Sequence, residues 1–348
     1  MDSDAPNTSG PLPVWALKLL ACPACRDPLT TQPATLVCSS CARVFAITFG
    51  IADLRLTPDP YLSDAEDRAA ALRLYEKEQE LTFEPLLRSY YQTNAKVSPQ
   101  RAAQFAGGAI AAAGRSREML EALQPRAPID SSAPFLDLGC GTGSLAVDAA
   151  RRGYQVLAVD VGLRWLILAR ARAREAGVQV LPICANAESL PFADASLGVV
   201  AGESILENVR AQPAVIHAIA RVLRDGGHAW FSVPNKYSPA PDPHLGLPFG
   251  GVLSDRLSAR VATRRGDVPP VRRMLGLWAL RSLVTSVALE WRGLRLPVVA
   301  QSQRKNATPA IQWAIGVYDV CSRVPGLRQL LMMVTPTWIV VAQRGRRL

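Results

Sequence analysis

A glycine-rich turn beside a carboxylate is the strongest chemical signal in the sequence. The run Phe135-Leu-Asp-Leu-Gly-Cys-Gly-Thr-Gly143 places an apolar stretch before three alternating glycines, and a helical pattern follows. Such a turn lets a ligand approach the backbone closely. It lacks the Gly-Lys-Ser/Thr of a P-loop and the GxGxxG spacing of a dinucleotide site. Asp137, beside the turn, would repel a pyrophosphate but could contact a cationic amine.

A second carboxylate, Asp160, ends the next apolar stretch, 17 residues after Gly143. An acidic side chain at this position can accept hydrogen bonds from both ribose hydroxyls of a nucleoside. The alternative is a glycine turn that only packs a helix on a strand. The agreement of turn, acid and strand pattern favours a nucleoside site.

Four cysteines form two pairs of identical spacing near the N-terminus. Cys22 and Cys25 make one CxxC pair, and Cys38 and Cys41 make a second, with 12 residues between the pairs. Four thiolates at this spacing can close a tetrahedral zinc site, and two pairs without a thioredoxin-like context favour zinc over redox chemistry. A closed site leaves no open coordination position, so we expect a structural zinc on which this small segment depends for folding.

The elements that must position these residues follow from the hydrophobic pattern. From Phe135 onward, short apolar strands alternate with helices, which predicts an α/β fold with a Rossmann-like, doubly wound and mostly parallel sheet. The expected parts of the chain are a flexible leader (1–13), a four-cysteine zinc-binding domain resembling a zinc ribbon (14–58), a helical linker or cap (59–133) and the α/β domain (134–348).

The composition excludes several classes of protein. With 49% apolar and 20% charged residues, the 348-residue chain is not a disordered protein, and seven cysteines are too few for a disulfide-dense secreted scaffold. The longest stretches without a charged residue have 15 residues, fewer than the roughly 20 of a spanning helix. We therefore expect a cytoplasmic protein, whose paired cysteines bind metal.

Residues 134–235 resemble class I S-adenosylmethionine-dependent methyltransferases, in the branch that includes ubiquinone and menaquinone methyltransferases. LDLGCGTG matches the first motif of that family, and LAVDVGLRWLILAR matches its second strand and helix. The resemblance implies S-adenosylmethionine as cofactor, with Asp137 and the turn at the methionine moiety, Asp160 at the ribose and Val161 against the adenine. The implied cofactor-binding residues are Asp137, Gly139, Cys140, Gly141, Thr142, Gly143, Asp160, Val161, Asn186 and Ala187.

Asn186 departs from the family, which usually has Asp at this position. An amide oxygen can still accept a hydrogen bond from the adenine amino group, so the resemblance keeps Asn186 in the site. The four-cysteine segment is in turn similar to the small zinc-binding domain of methyltransferase activator subunits. It keeps Gly50 and Ile51 of that family's following strand but loses the prolines.

Two side chains are candidates for catalysis. Methyl transfer from a sulfonium is an in-line displacement that mainly requires positioning, but an oxygen acceptor of high pKa also needs a base. His244 follows the predicted strand HAWFSV (228–233), at the rim where ligands bind in open α/β sheets, and is the candidate base or acceptor-orienting residue. The alternative is a loop histidine that fixes the proline-rich turn. Glu203, directly after the predicted strand LGVVAG (197–202), is the second candidate.

The net charge of +10 lies entirely in the last third of the chain, because residues 235–348 hold 17 basic and 5 acidic side chains. We expect this region to form the acceptor side of the site and the acceptor to be a small molecule, a lipid or a glycan. An rRNA or tRNA methyltransferase that contacts RNA through the basic region and the zinc module is an alternative. A non-catalytic binding protein with a methyltransferase fold is another.

Overall fold

The computed structural model describes residues 12–94, 97–123, 133–242, 245–264, 272–297, 299, 304 and 307–346. Nearly all of the predicted leader, 1–13, lies outside the described residues, and so does His244. The predicted roles of both therefore stay predictions.

Eleven strands form one continuous sheet in the described part of the chain. They are β1 (Leu29–Gln32), β2 (Thr35–Cys38), β3 (Val44–Thr48), β4 (Ile51–Asp53), β5 (Phe135–Leu138), β6 (Val156–Asp160), β7 (Leu181–Cys184), β8 (Leu197–Glu203), β9 (Leu223–Pro234), β10 (Leu289–Arg295) and β11 (Thr337–Arg344). Their order across the sheet is β1-β2-β3-β4-β7-β6-β5-β8-β9-β11-β10. The six strands from β4 to β9 in this order are parallel, which confirms the predicted doubly wound, mostly parallel sheet.

Helices cover both faces of this sheet. Those of the described residues are α1 (Val14–Leu17), α2 (Asp64–Lys77), α3 (Phe83–Thr93), α4 (Pro99–Leu123), α5 (Ser144–Arg151), α6 (Leu163–Glu175), α7 (Gln212–Val222), α8 (Asp255–Arg264), α9 (Leu277–Thr285), α10 (Pro309–Arg323) and α11 (Pro325–Val334). In β5, Leu136 and Leu138 join the apolar cluster that contains α7, and Phe135 joins the cluster that contains α5 and α6. Because both faces are covered, the central strands are mostly apolar.

The four-cysteine segment extends the central sheet. Its last strand, β4, runs parallel to β7, with Ala52 opposite Ile183 and Asp53 opposite Cys184. Leu54 is completely buried in the same apolar cluster as the central strands. The residues that follow β4 therefore lie at the carboxyl end of the parallel strands, where ligands bind in sheets of this kind.

The segment between the cysteines and the α/β domain forms helices, as predicted. Helix α2 begins at a capping box, in which Ser63 accepts from the backbone of Glu66 and the Glu66 carboxylate accepts from the backbone of Ser63. Helix α2 packs on α6, and α4 packs on α3 and α5. The predicted cap therefore covers the sheet face that carries α5 and α6.

The C-terminal part of the chain completes the sheet with β11 and β10, both antiparallel to their neighbours. Strand β11 is mostly apolar and buried, whereas β10 is not. Strand β10 lies at the edge of the sheet, includes Glu290, Arg292 and Arg295, and has a register shift before Gly293. An edge strand of this composition carries little of the apolar signal that marks a central strand. Among the described residues, no helix is long and apolar enough to cross a membrane.

Candidate functional site

The glycine turn between β5 and α5 has the backbone conformation that its sequence predicts. Gly139, Gly141 and Gly143 all have positive φ angles, of 69°, 48° and 74°. A Cβ atom on Gly143 would lie 2.7 Å from the Cβ of Ala169, so the absence of a side chain lets α6 pack on the turn. A Cβ on Gly141 would meet nothing within 4 Å, which leaves open space beside the turn.

Asp160, at the end of β6, is held by the backbone on both sides. One carboxylate oxygen accepts from the N–H of Gly141 at 2.9 Å, and the other accepts from the N–H of Gly162 at 2.9 Å. Burial raises the pKa of Asp160 to about 6, although the two N–H groups oppose this rise. The side chain is therefore mainly ionised at pH 7, and each oxygen keeps a lone pair for a ligand hydroxyl.

A cavity of about 260 Å³ lies beside Asp160. Five of the predicted cofactor-binding residues line it: Gly139, Asp160, Val161, Asn186 and Ala187. Residues 58–61, which follow the four-cysteine segment, also line it, although no motif in the sequence places them there. A carboxylate at one wall and apolar side chains at another suit a ribose joined to a planar base.

Asn186 lines the cavity, but its amide already bonds to the chain that follows the four-cysteine segment, so the predicted contact of its oxygen with an adenine amino group stays a prediction. Its Oδ1 already accepts from the backbone N–H groups of Leu56 at 2.8 Å and Thr57 at 3.1 Å. Its Nδ2 donates to the carbonyl of Thr57 at 2.9 Å. The two lone pairs of the amide oxygen are thus occupied, and Asn186 fixes the segment that forms the opposite wall.

Asp137 is buried beneath the turn. It does not line the cavity, and one of its oxygens accepts from the backbone N–H of Ala146 at 2.9 Å, in the first turn of α5. Burial, and then the nearby charge of Glu203, raise the pKa of Asp137 well above its usual value. The structure therefore shows a helix-capping contact, and binding of a cationic amine by Asp137 stays a prediction.

Cys140, Thr142 and Glu203 also lie outside the cavity lining. Burial raises the pKa of the Cys140 thiol well above its usual value, so this thiol is neutral. Thr142 accepts from Arg172 at 3.3 Å. The Glu203 carboxylate accepts from the hydroxyl of Ser116 in α4 at 3.0 Å, and burial raises its pKa. Their roles in cofactor binding and catalysis stay predictions.

The four cysteines form the predicted cluster, with all four sulfur atoms within 4.8 Å of one another. The Sγ atoms of Cys22 and Cys41 are 3.7 Å apart, and those of Cys25 and Cys38 are 3.3 Å apart. Tetrahedral zinc with a Zn–S bond of about 2.3 Å places its sulfurs about 3.8 Å apart. The donor set and its spacing therefore fit a structural zinc ion held by the four thiolates.

The two halves of the cysteine cluster repeat one turn. The N–H of Arg26 donates to the carbonyl of Cys22 at 2.8 Å, and the N–H of Ala42 donates to the carbonyl of Cys38 at 3.2 Å. Arg26 and Ala42 each follow the second cysteine of a pair and have φ angles of 71° and 56°. Two such turns present the four sulfur atoms to one point.

A cluster of buried ion pairs joins the four-cysteine segment to the cavity. Arg55, just after β4, pairs with Asp53 at 2.6 Å and with Asp67 at 3.1 Å. Asp67 is fully buried and also pairs with Arg164 at 2.6 Å, and Arg164 pairs with Asp59 at 2.9 Å. Asp59 and Arg164 both line the cavity. These ion pairs thus connect the cavity wall to β4, the strand that precedes Arg55.

We expect Asp67→Asn to destabilise the chain by about 3 kcal/mol, because it leaves two buried guanidinium groups, those of Arg55 and Arg164, short of a counter-charge. Glu84→Gln is the matched control, since it breaks an exposed 2.7 Å pair with Arg88 and should cost less than about 0.5 kcal/mol. Urea unfolding of both variants measures the difference. Equal losses of unfolding free energy would show that the buried cluster contributes nothing.

Comparisons with known proteins match two parts of the chain. Residues 136–231 match the family described as "Methyltransferase domain", and residues 16–50 match the family described as "Trm112p-like protein". Both resemblances noted in the sequence are thereby confirmed.

Curated relatives match less than half of the chain. The ubiquinone biosynthesis O-methyltransferase of Serratia proteamaculans is 40% identical over 106 residues, which cover 30% of this chain and 44% of that protein. The biotin biosynthesis bifunctional protein BioHC of Cellvibrio japonicus is 32% identical over 152 residues, which cover 42% of this chain and 30% of that protein. The chain thus spans less than half the length of either relative.

Among solved structures, an S-adenosylmethionine-dependent methyltransferase from Mesorhizobium loti is 19% identical, with a TM-score of 0.44. The match covers 64% of this chain and 96% of that one. The fold assignment above depends on strand order and not on this likeness. Residues 136–231, which match a methyltransferase family, thus belong to the doubly wound, mostly parallel sheet, and the four-cysteine segment that precedes them matches a Trm112p-like family.

Proposed function

We propose that this chain is an S-adenosylmethionine-dependent methyltransferase that acts on a small-molecule acceptor. The observation that carries the proposal is the Asp160 carboxylate, which faces a cavity at the carboxyl end of the parallel sheet within the methyltransferase domain. Ligands bind at this edge in open α/β sheets, and an acid at the end of β6, the strand that follows the glycine turn and α5, suits a ribose.

Different residues of the cavity would bind different parts of such a cofactor. Asp160 would accept from the ribose hydroxyls, while Val161 and Ala187 would flank the base. Residues 58–61 would cover the base side and exclude water. When bound, the cofactor supplies a sulfonium methyl group that an acceptor can displace in line. The glycine turn and Asp137 lie at the far end of β5, where the methionine moiety is proposed to lie.

The acceptor class is proposed from the relatives, whose names place them in ubiquinone and biotin biosynthesis. Both names concern small molecules, and we extend that class to this chain. His244 and Glu203 are the proposed residues on the acceptor side. A cytoplasmic location, where cysteine thiols stay reduced, is also part of the proposal.

Labelling with a methyl-labelled cofactor tests the acceptor class. The protein is incubated with the labelled cofactor and cell extract separated into small-metabolite, lipid, glycan, RNA and protein fractions. We expect label in the small-metabolite or lipid fraction, and loss of that label with Asp160→Ala. Label confined to RNA, or label that persists in Asp160→Ala, would contradict the proposal.

The pKa of Asp160 predicts how cofactor binding depends on pH. With a pKa of about 6, about nine-tenths of this carboxyl group is ionised at pH 7 and about one-tenth at pH 5. Affinity for S-adenosylhomocysteine should therefore fall about tenfold from pH 7 to pH 5, because the protonated acid loses an acceptor.

Calorimetric titration at several pH values measures this change. Asp160→Asn should bind weakly at every pH, without the tenfold fall. Glu207→Gln removes a nearby buried carboxyl whose pKa burial raises to about 7, and it should keep the fall. A fall that follows Glu207 instead of Asp160 would contradict the assignment.

A further inference from the structure

The last two helices expose an unusual amount of apolar surface. Helices α10 and α11, which we call the C-terminal hairpin (309–334), pack on one another, and neither contains a buried residue. Within this hairpin and at its turn, the large exposed apolar residues are Ile311, Trp313, Val317, Val320, Val324, Leu327, Leu330, Met333 and Val334. Trp313 is 74% exposed and Met333 is 68% exposed. Single exposed apolar residues are common, but a group of this size marks an interaction surface.

These residues follow helical spacing. In α10, Trp313, Val317 and Val320 are separated by four and three residues, which places them on one face. In α11, Leu327 and Leu330 repeat the three-residue spacing, and Val334 follows four residues later. Each helix therefore presents an apolar stripe, and the exposed fractions of these side chains show that both stripes face solvent.

The hairpin is fixed at its base, so the exposed stripes belong to an ordered element. Near the end of α11, the carbonyl of Met332 accepts from the indole of Trp338 at 2.8 Å, and the carbonyl of Met333 accepts from Asn235 at 2.9 Å. In α10, Asp319 pairs with Arg304 at 2.6 Å. These contacts connect the hairpin to β11 and to the residues that leave β9.

The charge around the hairpin favours a negatively charged partner. Residues 291–348 contain nine basic side chains and a single acidic one, Asp319, which pairs with Arg304. A second copy of the chain, joined symmetrically through this surface, would bring two strongly basic regions together. An anionic surface would instead be attracted by them.

We propose that the C-terminal hairpin binds the surface of an anionic lipid bilayer, with its two apolar stripes at the level of the headgroups. Tryptophan and leucine on one face with arginine nearby are typical of helices that lie in the membrane interface. Helices of 15 and 10 residues are too short to span a bilayer but long enough to lie on it. Each basic residue near an anionic leaflet adds to the attraction.

Vesicle binding by the full chain tests this proposal without the cofactor, so its outcome is independent of the proposed methyltransferase activity. The probes are vesicles of phosphatidylcholine alone and vesicles with phosphatidylglycerol added. We expect at least about tenfold stronger sedimentation with the phosphatidylglycerol vesicles, weakened but not abolished by salt. The double variant Trp313→Glu/Leu330→Glu should lose at least about tenfold in binding with unchanged thermal unfolding, because both side chains are exposed.

Val44→Glu is the matched control, since Val44 is also exposed, at 63%, but lies on β3 of the four-cysteine segment. This variant should bind vesicles like the unmodified chain. Absence of vesicle binding would overturn the proposal, and so would equal losses in the control and the double variant. The proposal would also be overturned if the double variant broke a dimer, or abolished binding to bulk RNA, while vesicle binding stayed unchanged.

Discussion

Cys22→Ser is expected to lower the melting temperature of the whole chain and also to weaken binding of S-adenosylhomocysteine. Structural zinc contributes roughly 10–16 kcal/mol in small zinc domains, and three remaining thiolates hold it far less tightly. The loss should spread because β4 pairs with β7 and Leu54 is buried in the main apolar cluster. Residues 58–61, which line the cavity, would then lose the paired strand β4 that positions them.

Thermal unfolding, zinc content and calorimetry on one protein preparation measure these effects together. Cys321→Ser is the matched control, because Cys321 lies in α10, apart from the cluster, and is half-buried. It should keep zinc, stability and binding. Unchanged unfolding and full zinc content in Cys22→Ser would contradict the structural role of the cluster.

Asp160→Ala is expected to weaken cofactor binding by at least about 100-fold. Two hydrogen bonds from hydroxyls to an ionised carboxylate contribute about 1.5–3 kcal/mol each, and the variant loses both. Asp194→Ala, which removes an exposed carboxylate paired with Arg221, is the control and should leave affinity unchanged. Calorimetric titration of the three proteins gives the comparison.

Stability separates this role from a merely structural one. The folded-state pKa of Asp160 is raised, so the folded chain binds the proton more tightly than the unfolded chain does. Ionised Asp160 therefore costs stability above about pH 6, and this cost disappears below the unfolded value near 4. Asp160→Asn removes this cost, but its amide NH2 faces one of the two backbone N–H groups and leaves that donor without an acceptor. Because these two effects oppose each other, we expect Asp160→Asn to bind the cofactor poorly while unfolding at pH 7 close to the temperature of the unmodified chain. A large loss of stability together with lost binding would instead indicate a scaffold residue.

The strongest parts of the site could be predicted from local sequence. A strand, three glycines and the acid at the end of the next strand all lie within 30 residues. Their spacing alone therefore indicates the turn and Asp160. The cysteine pairs were found in the same way, since each pair lies on one short turn. These features depend on neighbouring residues and on little else in the fold.

Contacts between distant parts of the chain could not be predicted in this way. Asn186 contacts Leu56 and Thr57, some 130 residues earlier, and this pairing exists only because β4 joins the sheet beside β7. Nothing in the sequence around Asp59 and Asp67 distinguishes them from solvent-exposed acids. In the fold both are buried and form ion pairs with Arg164. Asn186, at a position where the family usually has Asp, thus fixes the cavity wall.

Binding of S-adenosylhomocysteine to the unmodified chain tests the central claim most directly. Calorimetric titration at pH 7 requires no acceptor and no turnover, so it addresses only the cavity beside Asp160. We expect saturable binding of one molecule per chain with a dissociation constant well below 1 mM, and at least about 100-fold weaker binding to Asp160→Ala. Undetectable binding at millimolar ligand, or equal binding to both proteins, would contradict the account.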